Sequence, residues 1–223
     1  KKQGMYIARS LSYKKVTTGV TLIKTSEFES IYNESIRIVN KIRMSGLIKG
    51  KMKMIFGSSI LRFYRTLLLT FKIDKTIKII EKCLEENMCA IVTIQSTWES
   101  YQNNDDNFDA PKIILIKFIN FIHDIYEEKA DIKSCKQCHD LLKDIHDLQF
   151  GNNMNIIDKI IHYFGEDKTA EITGRKKKCN MKNEIVNRSL TNLEEKDKFM
   201  SGEKDICIIS EAGSVGISLH DTD

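Results

Sequence analysis

Five consecutive residues, Cys135-Lys136-Gln137-Cys138-His139, carry the spacing by which haem is attached covalently through two thiols and an imidazole. Yet Ile132, Cys135, Cys138/His139, Leu142, Ile145 and Leu148 also form the apolar stripe of one helix, so both thiols have a place in a core. A closed zinc site needs four ligands, and no second CxxC or HxxxH pair is present to complete one. The expectation is core thiols and no metal. A phosphate-cradling loop of the GxxxxGK[ST] type is approached by Gly46-Leu47-Ile48-Lys49-Gly50-Lys51-Met52, which is one residue short and lacks the metal-binding hydroxyl. No GxSxG elbow and no HExxH occurs, so no catalytic residues are nominated.

The run Ser210-Glu211-Ala212-Gly213-Ser214-Val215-Gly216-Ile217-Ser218 follows a short apolar segment and combines small residues, hydroxyls and one carboxylate. At the carboxyl edge of a parallel sheet such a loop lies where α/β folds bind ligands, and its N–H groups could cradle an anion. A tight strand-to-helix turn explains the glycines equally well, and pattern alone leaves the two readings even.

The elements that would position these residues follow from periodicity. Met5–Ala8 and Val20–Ile23 are short β-prone runs. From Ser26 a helical stripe runs through Phe28, Ile31, Tyr32, Ser35, Ile38 and Ile42, with Gly46, Gly50 and Gly57 as breaks. A second helix is expected from Ser58 to about Phe71, and a third where Ile73, Ile77, Ile80 and Leu84 share a face. The β-branched run Cys89–Ile94 favours a buried parallel strand. A polar loop over 102–110 leads to Pro111 at a helix start, and helices are expected at 111–128, 131–148 and 154–164. Residues 170–174 form a strand candidate meeting a basic turn, Arg175–Lys178. Thr191-Asn192-Leu193-Glu194 fits a capping box, and Ile206–Ile209 is a buried strand. Strands alternating with helices make an α/β layer fold.

Composition bounds the rest. The 223 residues carry 41% hydrophobic and 30% charged side chains, one proline and six cysteines, within the globular range. Free thiols in a reducing compartment are expected. No run approaches the roughly 18 apolar residues of a membrane span. The net charge of +4 conceals a division: residues 1–82 hold 18 Lys/Arg against 5 Asp/Glu, residues 83–167 hold 7 against 16, and the remainder balances. Arg62, Arg65, Lys72, Lys75 and Lys78 recur at helical spacing, so the basic third either tracks a polyanion or is a solvated face, the commoner use of charge runs. Opening on Lys1-Lys2-Gln3 and ending soon after a strand, the chain is expected to be a piece of a longer protein.

Several blocks in order resemble the second helicase-like lobe of the strawberry notch family, large nuclear superfamily 2 helicase-like proteins linked to transcription and chromatin. They are Gly4–Ser12, Cys89–Glu99 around Gln95-Ser96-Thr97, Ala170–Lys176, and Phe199–Lys204 followed by Ile206–Leu219. The resemblance implies a partial RecA-like parallel sheet, of the P-loop NTPase kind, with substantial helical additions. Residues 1–24 would bridge from the first lobe, 25–85 would be helical, 86–101 and 168–223 would form the partial second lobe, and 102–167 would be a helical insertion. Gln95, Ser96 and Thr97 are similar to helicase motif IV. Ser210, Glu211, Ala212, Gly213, Ser214, Gly216 and Ser218 are similar to motif V, which in relatives touches both nucleic acid and the nucleotide cleft and so can couple them. Arg175 and Lys176, with Arg62, Lys72 and Lys75, become candidate phosphate contacts. Trp98 stands where the family has glycine, and 102–164 is shorter and richer in asparagine.

The family's Walker A, DExH and arginine-bearing motif VI do not occur in this sequence. Phosphoryl transfer needs these parts together, so the chain alone is expected neither to hydrolyse ATP nor to translocate. ATP and magnesium are implied only for the whole protein. The implied partners are DNA or chromatin, the first helicase lobe and transcription regulators, in the nucleus and without a membrane. The rival reading is a non-catalytic binding or scaffold module of transcription complexes.

Overall fold

The computed structural model describes residues 17–23, 25–97, 109–150, 154–180, 182, 184–211 and 219. Two helices open the described chain, α1 (Ser26–Met44) and α2 (Met52–Glu85). Thr25 caps α1 by accepting from the Phe28 N–H, and Ser35, Ile38 and Ile42 form its buried stripe. Gly46 at φ +75° and Gly50 at φ +52° then turn the chain through the left-handed region that side chains avoid.

The long helix departs from the sequence expectation. Gly57 breaks nothing, and the two helices expected over 58–84 are one element of 34 residues. Its buried residues Phe63, Thr66, Leu67, Thr70, Ile73, Ile77 and Ile80 keep to one face, stepping by three or four apart from the adjacent pair Thr66 and Leu67. Two threonine hydroxyls also bond back along the helix, Thr70 to Leu67 O at 2.7 Å and Thr76 to Lys72 O at 2.9 Å.

Three more helices follow the strand β1 (Ala90–Ile94): α3 (Ala110–Glu127), α4 (Ile132–Asp147) and α5 (Ile156–Phe164). All three helices occur where periodicity placed them. Asp109 caps α3 through the Lys112 N–H, and its second oxygen accepts from Phe150 N at 3.1 Å, tying the start of α3 to the chain beyond α4. α3 lies between α2 and α4 and buries Ile114, Leu115, Phe118, Ile119, Ile122 and Tyr126. The Tyr126 hydroxyl donates to Leu47 O at 2.8 Å, so its burial leaves no orphaned group. On α4, Cys138, Leu141 and Ile145 are buried and Cys135 is half-buried, but Ile132, expected on the same stripe, is exposed at the first turn.

The remaining elements are β2 (Thr169–Ile172), a hairpin of β3 (Lys177–Cys179) and β4 (Ile185–Asn187), α6 (Asn192–Met200) and β5 (Ile206–Ser210). The expected capping box is present: Thr191 accepts from Glu194 N, and the Glu194 carboxylate accepts from Thr191 N at 2.7 Å. β1, β5 and β2 form one sheet in that order, parallel throughout. This is the mixed α/β, RecA-like arrangement implied by the resemblance. β5, the central strand, is buried at every position. Ile206 and Ile208 face the helical core, while Cys207 and Ile209 join Ala170 and Ile172 under Phe199 of α6.

Three expectations need correction. Val20–Ile23 is not a strand, and Val20 and Leu22 are almost fully exposed. β1 is parallel but not buried throughout: among the described residues it lies at the sheet edge, with Ile91 54% exposed. Arg175–Lys178 is not simply a turn, since Lys177 and Lys178 already belong to a hairpin closed by Asn180, whose Oδ1 accepts from Lys182 N and Glu184 N, both at 2.9 Å. The β-prone run Met5–Ala8 lies outside the described residues. No helix among the described residues is long and apolar enough to cross a membrane.

Candidate nucleic-acid interface

Register fixes where the candidate residues meet. Ile94 of β1 stands opposite Ser210 of β5, and Ile172 of β2 stands opposite Ile209. Because the strands are parallel, Gln95-Ser96-Thr97, Ser210-Glu211 and Thr173-Gly174-Arg175 all leave the same carboxyl rim. The sheet therefore brings Gln95-Ser96-Thr97 and Ser210-Glu211 side by side. Ser210 is buried and Glu211 exposed, while Ala212, Gly213, Ser214, Gly216 and Ser218 lie outside the described residues, as does Trp98.

At the β1 end of this rim is an open cleft of about 420 Å³. Gln95 and Ser96 form one wall; Ser58, Arg62 and Arg65 of α2 face them above Thr66 and Leu69. Gln95, Ser96, Arg62 and Arg65 are all exposed. Thr97 is held from behind: Asn155 Nδ2 donates to its carbonyl at 2.6 Å, while Asn155 Oδ1 caps α5 through Ile157 N at 3.0 Å. Two guanidinium groups beside an amide and hydroxyls can grip a phosphodiester backbone, because arginine presents a fork of donors to phosphate oxygens.

The other basic candidates lie elsewhere. Lys72 and Lys75 are exposed on α2, and Lys75 borders a separate 360 Å³ hollow with Lys78, Lys159 and Asp74, where Lys159 Nζ lies 2.6 Å from Asp74 Oδ1. At 1.5 Å per residue, Arg62 and Lys75 are roughly 20 Å apart along the helix. Lys176 is exposed just beyond β2.

Arg175 is the residue whose placement departs most from its expected role. Its side chain has no exposed surface. Nε and Nη2 donate to the two oxygens of Glu171 at 2.7 and 2.8 Å, and Nη2 lies 2.7 Å from Asp158 Oδ1. A guanidinium enclosed by two carboxylates is an internal tie and not a surface phosphate contact. Arg188 closes the cluster from the hairpin side. Its Nη1 donates to Thr173 O at 3.3 Å and Arg175 O at 3.1 Å, and its Nη2 donates to Glu171 O. Asn192 Nδ2 adds a bond to Thr173 O at 2.9 Å. The exit of β2 is thus fastened on both sides.

The charges in the cluster respond differently to burial. Burial raises the Asp158 carboxyl above its ordinary range, and the Arg175 charge only partly opposes it. Burial also acts to raise Glu171, but hydrogen bonds and charge from Arg175, with the Arg188 charge, outweigh it and hold the carboxyl below its ordinary range.

Sequence reasoning identified Arg65 as a helical neighbour of Arg62 but not as a partner of Gln95, and Ser58 was missed. The Asp158–Arg175 tie was missed too, although Asp158 interrupting Ile156-Ile157 and Ile160-Ile161 was a visible sign of a buried charge.

Residues 155–223 match the family described as the C-terminal domain on Strawberry notch homologue. Over that segment the chain is similar to strawberry notch proteins. Protein FORGETTER 1 of Arabidopsis thaliana is 24% identical over 167 residues, 66% of this chain and 13% of its own length. Protein strawberry notch of Drosophila melanogaster is 37% identical over 100 residues, 40% of this chain and 6% of its own length. Protein strawberry notch homolog 1 of Rattus norvegicus is 32% identical over 142 residues, 56% of this chain and 11% of its own length. The chain therefore spans a small part of these relatives. No solved structure matches it. The matched segment contains α5, β2, the hairpin, α6 and β5, so it includes the buried cluster and Ser210–Glu211; the α2 wall of the cleft lies before it. Two of the three parallel strands, β2 and β5, fall in the matched segment, and the mixed α/β fold is consistent with the RecA-like lobe of that helicase C-terminal family.

Proposed function

We propose that the chain is part of the second lobe of a strawberry notch-like, helicase-related ATPase, and that it holds a nucleic-acid backbone in the cleft between α2 and the end of β1. The observation that carries this reading is the meeting of Arg62 and Arg65 with Gln95 and Ser96 on the sheet's carboxyl rim. The neighbouring Ser210–Glu211 segment would link that grip to a nucleotide cleft shared with the first lobe. Chromatin or DNA as the substrate, transcription regulators as partners and the nucleus as the site of action belong to the same proposal.

ATP with magnesium does not fit the described part of the rim by itself. Ser210 is buried, Arg175 is enclosed by Glu171 and Asp158, and exposed Glu211 would repel a triphosphate. Nucleotide binding is therefore proposed for the whole protein, with no step assigned to these residues. The test is binding of labelled single- and double-stranded DNA to the purified chain across a salt series. Affinity that falls steeply with salt supports the reading, and absence of binding at low salt removes it.

A second reading, a scaffold module of transcription complexes, draws on the edge of β1, which has no neighbouring strand among the described residues and where Met88, Cys89 and Ile91 are exposed together. A partner could add a strand there. Protein capture that persists in high salt, without DNA affinity, would favour it.

A further inference from the structure

The packing of α3 against α4 creates a group of metal-ligating side chains away from the cleft. His123 and Glu127 are four residues apart on α3 and share a face, with Asp124 beside them. His123 Nδ1 lies 3.8 Å from Asp124 Oδ1 and 4.0 Å from Glu127 Oε2. Those separations are too long for hydrogen bonds, so polar atoms face one another across a gap. One ligand atom from each of the three residues lies within 4.8 Å of the others. From α4, the His139 ring approaches the His123 ring with centroids 4.8 Å apart and planes at 67°, but its nitrogens stand outside the group of ligand atoms within 4.8 Å of one another.

That ring separation suits a shared ion. Two imidazoles bound through nitrogen at about 2.0–2.1 Å to one tetrahedral metal have ring centres about 5 Å apart. The gap around His123 Nδ1 would have to close by several tenths of an ångström, and the exposed His139 ring would have to turn to bring a nitrogen into the group, movements that the exposed Asp124, Glu127 and His139 side chains can supply by rotation. Two neutral imidazoles and two carboxylates balance a divalent charge. Imidazole among the ligands disfavours magnesium and calcium and favours a borderline ion.

We propose that His123, Glu127 and His139, with Asp124 as the fourth ligand, bind one borderline divalent metal ion, zinc being the best match. The site joins α3 to α4 and uses only the histidine of the CxxCH run. Cys138 belongs to the core, where burial pushes its thiol up to about 11.

Cobalt(II), a spectroscopic substitute for zinc, tests this in the purified chain. The expected result is one equivalent bound with visible d–d absorption, no thiolate-to-cobalt charge-transfer band, and displacement by zinc. H123A and H139A should each weaken binding at least about tenfold, and C135S should leave it unchanged. The absence of stoichiometric binding, a thiolate band lost in C135S, or undiminished affinity in H139A overturns the proposal. His139 and Glu127 are exposed, so H139A and E127Q decide the matter even if H123A folds poorly.

Discussion

Arg175 Nε lies 2.7 Å from Glu171 Oε1, and the two side chains are 0% and 3% exposed. Such a pair is costly to form, because both ions lose their hydration, and costly to break, because the survivor stays buried without its partner. With Asp158 and Arg188 the cluster holds two charges of each sign. Replacing Arg175 by methionine leaves Glu171 and Asp158 facing each other in the interior. R175M should lose about 3–5 kcal/mol of stability, read from denaturant midpoints. A loss below about 1 kcal/mol would mean that the guanidinium is not enclosed as described.

The two carboxyls of this cluster should respond to acid with opposite signs. Glu171 is held below its ordinary 4.5, so its contribution is complete above that value and lost as pH falls through the depressed folded value. Asp158 is raised above its ordinary 3.8, so its contribution declines as pH rises from there through the raised value. The stability difference between wild type and E171Q should therefore grow as pH approaches 4.5 from below. The difference between wild type and D158N should shrink as pH climbs above 3.8. Denaturant titrations at a series of acidic pH values measure both slopes, and equal signs would refute the assignment.

The six cysteines are free and differ in environment. Burial in the central strand pushes the Cys207 thiol up to about 12, whereas Cys89 is exposed just before β1. Reactivity follows thiolate and access together. Alkylation of the native chain near pH 8, followed by mass spectrometry, should modify Cys89 first. Cys207 and Cys138 should react only after unfolding. Modification of Cys207 at the rate of Cys89 would contradict the position of β5 at the centre of the sheet.

Local pattern made most of the helices legible because each buries a stripe of regular spacing: Ser35, Ile38 and Ile42 on α1, and Cys138 and Ile145 on α4, where the buried leucine is Leu141 and not the expected Leu142. The strand Ile206–Ile209 was equally visible, since a central parallel strand is apolar on both faces. Long-range relationships were not. The edge position of β1 depends on which strand lies beside it, and Ile91 reads the same in either place. Arg175 carried no local sign of burial, because Glu171 four residues before it reads equally well as a solvated pair and Asp158 comes from a helix that only the fold brings near. Arg62 and Gln95 are 33 positions apart in the sequence, so their cleft follows from the reversal between α2 and β1.

Gly57, expected to stop a helix, lies inside α2 on the exposed surface. A Cβ built there meets nothing within 4 Å, and its backbone is helical. Alanine would reduce the freedom of the unfolded chain without a clash. G57A should stabilise the protein by about 0.5–1 kcal/mol and raise its melting temperature. A lower melting temperature would show that the glycine relieves strain not visible in this packing.

The cleft makes a sharper prediction than the overall basic charge of residues 1–82. If the whole basic third followed a polyanion, charge reversal at any exposed cation would weaken binding similarly. The structure instead places Arg62 and Arg65 beside Gln95 and Ser96, and Lys75 in a separate hollow that also contains Asp74. The R62E/R65E variant should lose most of the affinity for DNA, and each lost phosphate contact should make the slope of log affinity against log salt shallower by about 0.7–0.9. K75E, roughly 20 Å away along α2, should weaken binding only by long-range charge, an effect that fades above about 0.1 M salt. Fluorescence anisotropy with a labelled oligonucleotide at several salt concentrations separates the two. Equal losses for R62E/R65E and K75E at every salt concentration would assign binding to diffuse charge and dismiss the cleft.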